Sequence, residues 1–225
     1  MLLHVPQLLL PEELAHVRRL IDTGPWTDGK VTAGLQSASA KRNQQLPKDC
    51  REALAAGAII RGALDRSAAF FAAALPRRIV PPLFNRYAGG MDFGNHIDNS
   101  VRFVNRELSV RTDLSATVFL ADPTSYEGGE LVIEDSFGTR EVKLAAGDMV
   151  LYPGTSVHRV EPVTRGARLA SFFWIESMVR RQDQRSLLWE LDQATSEVRR
   201  RHGEDELAVS LTGCYHNLLR MWADC

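Results

Sequence analysis

The spacing of apolar residues divides the chain into three zones. From residue 1 to about 80 the pattern is mainly helical. Leu14, Val17, Leu20 and Ile21 recur at helical spacing behind Pro11-Glu12-Glu13, and proline and acids suit a first helical turn. Gly24-Pro25 predicts the end of that helix. An alanine-rich stretch over roughly 50–74 predicts a second, with Phe70, Phe71 and Leu75 as its buried end. Between them, Trp26 to Leu46 is polar and glycine-bearing (it includes KVTAGLQSASAKRNQQL) and reads as strand and loop.

Over residues 81–176 the period changes. LFNRYA, SATVFLAD, GELVIED, REVKLAA, GDMVLYP, HRVEPV and RLASFFWI are short β-rich runs separated by glycine, proline and aspartate turns. Regular short strands with turn signals predict an all-β sandwich or barrel, and the lack of long helices argues against a parallel α/β sheet. From 177 to 225 helical stripes return, with Leu187, Leu188 and Leu191, then Leu218, Leu219 and Trp222, and Gly203 predicted between two helices. The expected organisation is a helical or mixed support region (1–80), a β core (81–176) and a C-terminal helical region (177–225). The fold class is mainly β with flanking helices.

Composition narrows the function more than the fold. With 27 basic and 28 acidic side chains the formal net charge is -1, so neither nucleic acid nor an anionic membrane is expected as a partner. The apolar start MLLHVPQLLL is short, is broken by His4 and Pro6, and is not read as a signal peptide. No apolar run approaches the roughly 18 residues of a membrane span. Cys50, Cys214 and Cys225 have no metal-ligand spacing and predict free thiols, hence a cytoplasmic protein. Apolar stripes on the helical tail permit a homodimer.

Six histidines are present, and two fall in the β zone. His96 sits in GNHIDN, and residues two apart on an extended strand share a face, so His96 and Asp98 can bind one metal together. His158 follows the tight turn in LYPGTSV. Two histidines and one carboxylate form the facial triad that leaves coordination positions open on Fe(II). A His-x-Asp pair alone is a weak signal, since it also occurs as a hydrogen-bonded pair on a strand. Arg168, in GARLASFFW, either faces solvent or points into the barrel. Strand periodicity leaves this open, and an inward arginine is costly unless it meets an anion.

The order His-x-Asp, EGGEL, Gly-Asp-x-Val-Leu-Tyr-Pro, His, Arg is more specific than any of its parts. It resembles the prolyl and lysyl hydroxylase-like branch of 2-oxoglutarate/Fe(II) dioxygenases, and within it the bacterial PKHD-type hydroxylases. The likeness extends to KVTAGLQSASAKRNQQL, to RYAGGMDFGNHIDNS and to the helical tail. It implies a double-stranded β-helix (jelly-roll) core. It also implies His96, Asp98 and His158 on iron, Arg168 on the distal carboxylate of 2-oxoglutarate, and Tyr87 near that co-substrate. Cofactors so implied are Fe(II), 2-oxoglutarate and O2, with L-ascorbate as a reductant, and succinate and CO2 as co-products. The substrate class implied is a peptide, an amino acid or a small iron-chelating metabolite. A cupin-like metal protein that does not use 2-oxoglutarate is the alternative. The chain departs from some prolyl hydroxylases in carrying Val118 and Phe119 where they place a strand tyrosine, so Thr117 or Tyr152 is expected to supply a hydroxyl to the pocket.

Smaller features read plainly. Gly128, Gly129 and Asp148 are expected in turns, Glu130 and Glu134 on solvated strand faces, and Met149, Phe172, Phe173 and Trp174 in the core. The segment Asn99 to Arg111, with Arg102 and Arg106, is expected to form part of a substrate lid.

Overall fold

The computed structural model describes residues 1–32, 40–135 and 138–224. Its core is two facing antiparallel sheets. The larger is built, in spatial order, from β1 (Leu3–Val5), β14 (Met149–Pro153), β10 (Leu114–Phe119), β17 (Ala167–Ser177), β6 (Leu83–Ala88), β4 (Gln44–Gln45) and β2 (Thr27–Asp28), with β5 (Pro76–Ile79) also paired to β17. The smaller runs β13 (Gly138–Val142), β12 (Leu131–Asp135), β15 (His158–Val160), β7 (Asp92–His96) and β3 (Lys41–Arg42). Two hairpin-like pairs complete it: β8 (Val101–Phe103) with β9 (Ser109–Arg111), and β11 (Glu127–Gly128) with β16 (Val163–Arg165). The architecture is the expected double-stranded β-helix with flanking helices.

The strand sequences explain which sheet is central. All of β10 (LSATVF) is buried, consistent with its place between β14 and β17. The wall turns where predicted. Gly128 and Gly129 both have positive φ, the β11–β16 register shifts between Glu127 and Gly128, and a Cβ on Gly128 would stand 1.9 Å from the Pro162 carbonyl oxygen. Asp148 ties down the N-terminus by accepting from His4 Nε2 (2.7 Å) and the Gln7 N–H (2.8 Å).

Residues 1–80 do more than support this core, because they contribute β1 to β5 to its sheets. Helix α1 (Pro11–Asp22) buries Val17 and Ile21 in the same apolar cluster as the barrel. The expected helix over 50–74 is two helices, α2 (Arg51–Arg66) and α3 (Ala68–Ala74). Ser67 separates them by accepting the Phe70 N–H (3.2 Å) with its side chain, an N-cap that restarts the helix in a new phase. Phe70 and Leu75 are buried by that new phase. Phe71, expected to be buried with them, is 53% exposed. Of the Trp26 to Leu46 segment, residues 33–39 lie outside the described residues.

Helices α4 (Gln182–His202) and α5 (Glu206–Trp222) flank Gly203, which takes φ 78° as the C-cap. They bury Leu188 in a small cluster with Leu75 and Val179, and Tyr215, Leu218, Leu219 and Trp222 pack on it. Buried Arg185 donates to the Val179 and Arg180 carbonyls at 2.7 Å each, which fixes the entry of α4. Among the described residues no helix is long and apolar enough to cross a membrane, and Cys50 and Cys214 are free thiols.

Candidate metal centre

The β7–β15 register sets His96 directly opposite His158, so the two side chains leave the smaller sheet on the same face. Their ring centroids lie 4.2 Å apart. Asp98 reaches them from beyond the strand. Pairing ends at His96, Ile97 turns outward (53% exposed), and Asp98 returns to the inside. It is held there by the Ser115 hydroxyl, which donates to Oδ2 at 2.7 Å from β10 of the opposite sheet. Asp98 Oδ2 is 3.7 Å from His158 Nε2, and one donor atom from each of the three residues falls within 4.8 Å of the others.

Backbone carbonyls orient both histidine rings. Nδ1 of His96 lies 2.8 Å from the Gly94 carbonyl oxygen, and Nδ1 of His158 lies 3.0 Å from that of Ser156. A carbonyl only accepts, so each Nδ1 carries the proton and each Nε2 presents its lone pair. Burial, and then the neighbouring His158, lower the His96 pKa to about 4, so its imidazole is neutral around pH 7. Phe93 stacks on His96 (3.6 Å between centroids, 15°), and Tyr152 meets the His158 ring edge-on at 5.2 Å.

Arg168 points inward. Its side chain leaves β17 into the same cavity as His96, Asp98 and His158 and is 1% exposed. No protein group among the described residues accepts from its Nε or Nη1. Its neighbours are aromatic: Cζ lies 5.5 Å from the Tyr87 ring centroid and 5.3 Å from that of Phe119. A guanidinium buried among rings with two donor atoms unused is a site for a carboxylate. It therefore fits the distal end of 2-oxoglutarate, with the two histidines and Asp98 as a donor set for Fe(II).

Tyr87 is the cross-strand partner of Arg168 and is fully buried, and burial pushes its phenol up to about 12. Tyr152, hydrogen-bonded to Thr117, is raised well above the ordinary tyrosine value, again first by burial. Both tyrosines and Thr117 line the cavity, so both hydroxyl sources expected from the sequence are present. Glu130 and Glu134 lie elsewhere, beside Lys143 and Arg159. Met149, Phe173 and Trp174 are buried as expected, while Phe172 is only half-buried and forms part of the cavity wall.

Ser115 was not singled out in the sequence. Its signal was there: it shares a face of SATVFLAD with Thr117 and stands between Tyr152 and Trp174 across the sheet. Lys41 was also missed. It is buried at the cavity with its ammonium 5.5 Å from the Phe93 centroid, and burial lowers its pKa to about 8.

Comparison with known proteins shows the family of the chain. Residues 82–176 match the 2OG-Fe(II) oxygenase superfamily, and residues 183–224 match the PKHD-type hydroxylase C-terminal domain. A PKHD-type hydroxylase of Variovorax paradoxus is 57% identical over 227 residues, covering 100% of both chains. The chain belongs to the PKHD-type hydroxylase family. As a family member it is a 2-oxoglutarate-dependent non-haem iron dioxygenase that uses Fe(II), 2-oxoglutarate and O2.

Solved structures share the fold at low identity. A prolyl hydroxylase from Trichoplax adhaerens, in complex with a hypoxia inducible factor oxygen degradation domain peptide fragment, has a TM-score of 0.56 at 16% identity. It covers 83% of this chain and 86% of its own. HygX from Streptomyces hygroscopicus, with nickel, 2-oxoglutarate and hygromycin B bound, also has a TM-score of 0.56, at 18% identity, covering 78% and 82%. The family model for the oxygenase ends at residue 176, where β17 of this chain gives way to the C-terminal helices.

Proposed function

We propose that this PKHD-type hydroxylase holds Fe(II) on His96, Asp98 and His158, and 2-oxoglutarate on Arg168 with Tyr87 beside it. The observation that carries the reading is the buried Arg168 guanidinium, with Nε and Nη1 unused, in the same cavity as the two histidines and Asp98. The reading with 2-oxoglutarate gives that arginine an anionic partner, which a cupin-like metal centre alone does not supply.

Bound Fe(II), with 2-oxoglutarate and O2, supplies the oxidising power that hydroxylates the substrate, while 2-oxoglutarate leaves as succinate and CO2. The chain's own groups prepare that chemistry. The Gly94 and Ser156 carbonyls fix both imidazole tautomers, and Ser115 aims the Asp98 carboxylate. Arg168 orients the co-substrate from the opposite sheet. Tyr87 and Phe119 keep water from that ion pair, which strengthens it.

The substrate is a peptide or a small molecule. The Trichoplax enzyme carries a peptide fragment and HygX carries hygromycin B, both on this fold. L-Ascorbate is the reductant that fits the hydroxylase family. The free thiols of Cys50 and Cys214 suit the reducing cytoplasm, and the exposed apolar residues of the last two helices, among them Leu187, Leu207 and Met221, permit a homodimer.

The test is anaerobic binding of Fe(II) and 2-oxoglutarate, followed by the weak visible charge-transfer band of the chelate. The wild type is expected to show the band, Asp98→Ala to lose it together with iron, and Arg168→Ala to need far more 2-oxoglutarate. Unchanged iron stoichiometry in Asp98→Ala would remove Asp98 from the ligand set.

A further inference from the structure

One cation at the cavity is not used by the chemistry above. Arg102 is the middle residue of β8, and the alternation of that strand turns it inward while Val101 and Phe103 face out, Phe103 at 78% exposure. Its guanidinium lies over a ring of the cavity wall, with Cζ 3.9 Å from the Trp174 ring centroid. Trp174 in turn meets Phe172 edge-on at 5.5 Å. The Arg102 Nε is buried without a hydrogen-bond partner among the described residues.

The arm that carries it is fixed. Register pairs run from Val101↔Arg111 to Phe103↔Ser109, the Asn105 side chain accepts the Glu107 and Leu108 N–H groups, and Arg111 forks onto Asp113 at 2.7 and 2.9 Å. The segment expected to form part of a lid is a β-ribbon that presents an arginine to the cavity.

Charge shows what Arg102 is for. Among the described residues lining the cavity, Asp98 is the one carboxylate, while Lys41, Arg102 and Arg168 are all cationic side chains. Fe(II) and Arg168 are together balanced by Asp98 and the two carboxylates of 2-oxoglutarate. Arg102, on Trp174 rather than beside Arg168, then remains as positive charge beyond that balance.

We propose that Arg102, stacked on Trp174, is the specificity-determining residue for the hydroxylated substrate, and that it reads a free carboxylate attached to an apolar body. A planar guanidinium held against an indole retains its edge for a bidentate carboxylate, while Phe172 and Trp174 pack the apolar part. The inference rests on the reading of the cavity as an Fe(II)/2-oxoglutarate site. It sets the substrate carboxylate on the larger-sheet wall near the mouth, apart from the one that Arg168 binds.

The test uses the full chain loaded with Zn(II) and saturating 2-oxoglutarate, so that Arg168 and the metal are occupied. Ligand-observed NMR then compares matched pairs: 3-phenylpropionate against its primary amide for a small acid, and Ala-Ala-Phe with a free or amidated end for a peptide terminus. At least one acid is expected to bind about tenfold or more tightly than its amide, as the loss of one charge-assisted hydrogen-bond pair implies. R102Q is expected to erase the preference and R102K to keep part of it, with 2-oxoglutarate affinity unchanged in both. The member of the pairs that binds identifies the source of the carboxylate.

A wild type that takes up metal and 2-oxoglutarate but binds neither acid better than its amide overturns the inference alone, as does a preference that survives R102Q. A wild type that takes up neither cofactor overturns the underlying reading, and this inference with it. Thermal melting of R102Q and R102K separates loss of recognition from loss of fold.

Discussion

Replacing Arg168 with methionine should affect stability and ligand binding in opposite directions. The side chain is 1% exposed, its Nε and Nη1 have no protein acceptor among the described residues, and its neighbours are the Tyr87 and Phe119 rings. A buried charge of this kind costs several kcal/mol to desolvate, and apolar replacements of buried ionic groups range from neutral to about 1–4 kcal/mol stabilising. Methionine is long enough to follow the same path past Gly129, where a Cβ would already stand 3.1 Å from Arg168 Cδ. Ligand-free R168M should thus melt at the wild-type temperature or a few degrees above it, at about 2–4 °C per kcal/mol for a chain of this size. Its affinity for 2-oxoglutarate should fall by about 30-fold or more, the cost of removing one partner of a buried charge pair. Differential scanning fluorimetry of the Zn(II)-loaded protein with and without 2-oxoglutarate reads both quantities, since a ligand raises stability in proportion to the logarithm of its concentration over Kd. If R168M melts several degrees lower and is still stabilised by 2-oxoglutarate as the wild type is, Arg168 is a packing residue and the reasoning fails.

Two further outcomes follow from the same geometry. Ser115→Ala removes the donor to Asp98 Oδ2, so metal affinity should fall by about 10–100-fold with the melting temperature of the metal-free protein nearly unchanged, as read by competition with a chromophoric chelator. An unaltered metal Kd would show that Ser115 does not position the carboxylate. Lys41 has a folded pKa of about 8 against 10.5 in the unfolded chain, so between those values the unfolded chain holds a proton that the folded one has released. Stability attributable to this group therefore rises with pH through that window, by roughly 3 kcal/mol at most. K41M should then be more stable than the wild type at pH 7, with the gap closing towards pH 10 in urea titrations. A gap independent of pH would mean that the Lys41 ammonium is not penalised by burial.

Much of the fold was legible because its signals are local. Strand alternation and turn glycines placed β6, β10, β12, β14 and β17 within a few residues of their observed bounds, and Gly203 marked the break between the last two helices. The alanine-rich helix failed at Ser67 because alanine fits a continuous helix and a restarted one equally well. Only the capping bond to the Phe70 N–H decides between them, and with it the exposure of Phe71. The strands supplied by residues 1–80 are two to four residues long, too short for periodicity to register.

The sequence by itself determined which residue types this protein has for its chemistry: His96-x-Asp98, a later His158, and an arginine on the last long strand, in an order specific to one family. It could not determine which way Arg168 faces, because a strand residue belongs to one face or the other according to register with its neighbours, and register is set by cross-strand pairing. Pairing Arg168 with Tyr87 and His158 with His96 turned all four side chains into one cavity. Tertiary structure alone brought Ser115 to Asp98 and Arg102 to Trp174, since each pair joins segments distant in the chain, and their contact depends on how the two sheets and the β8–β9 arm close on one another.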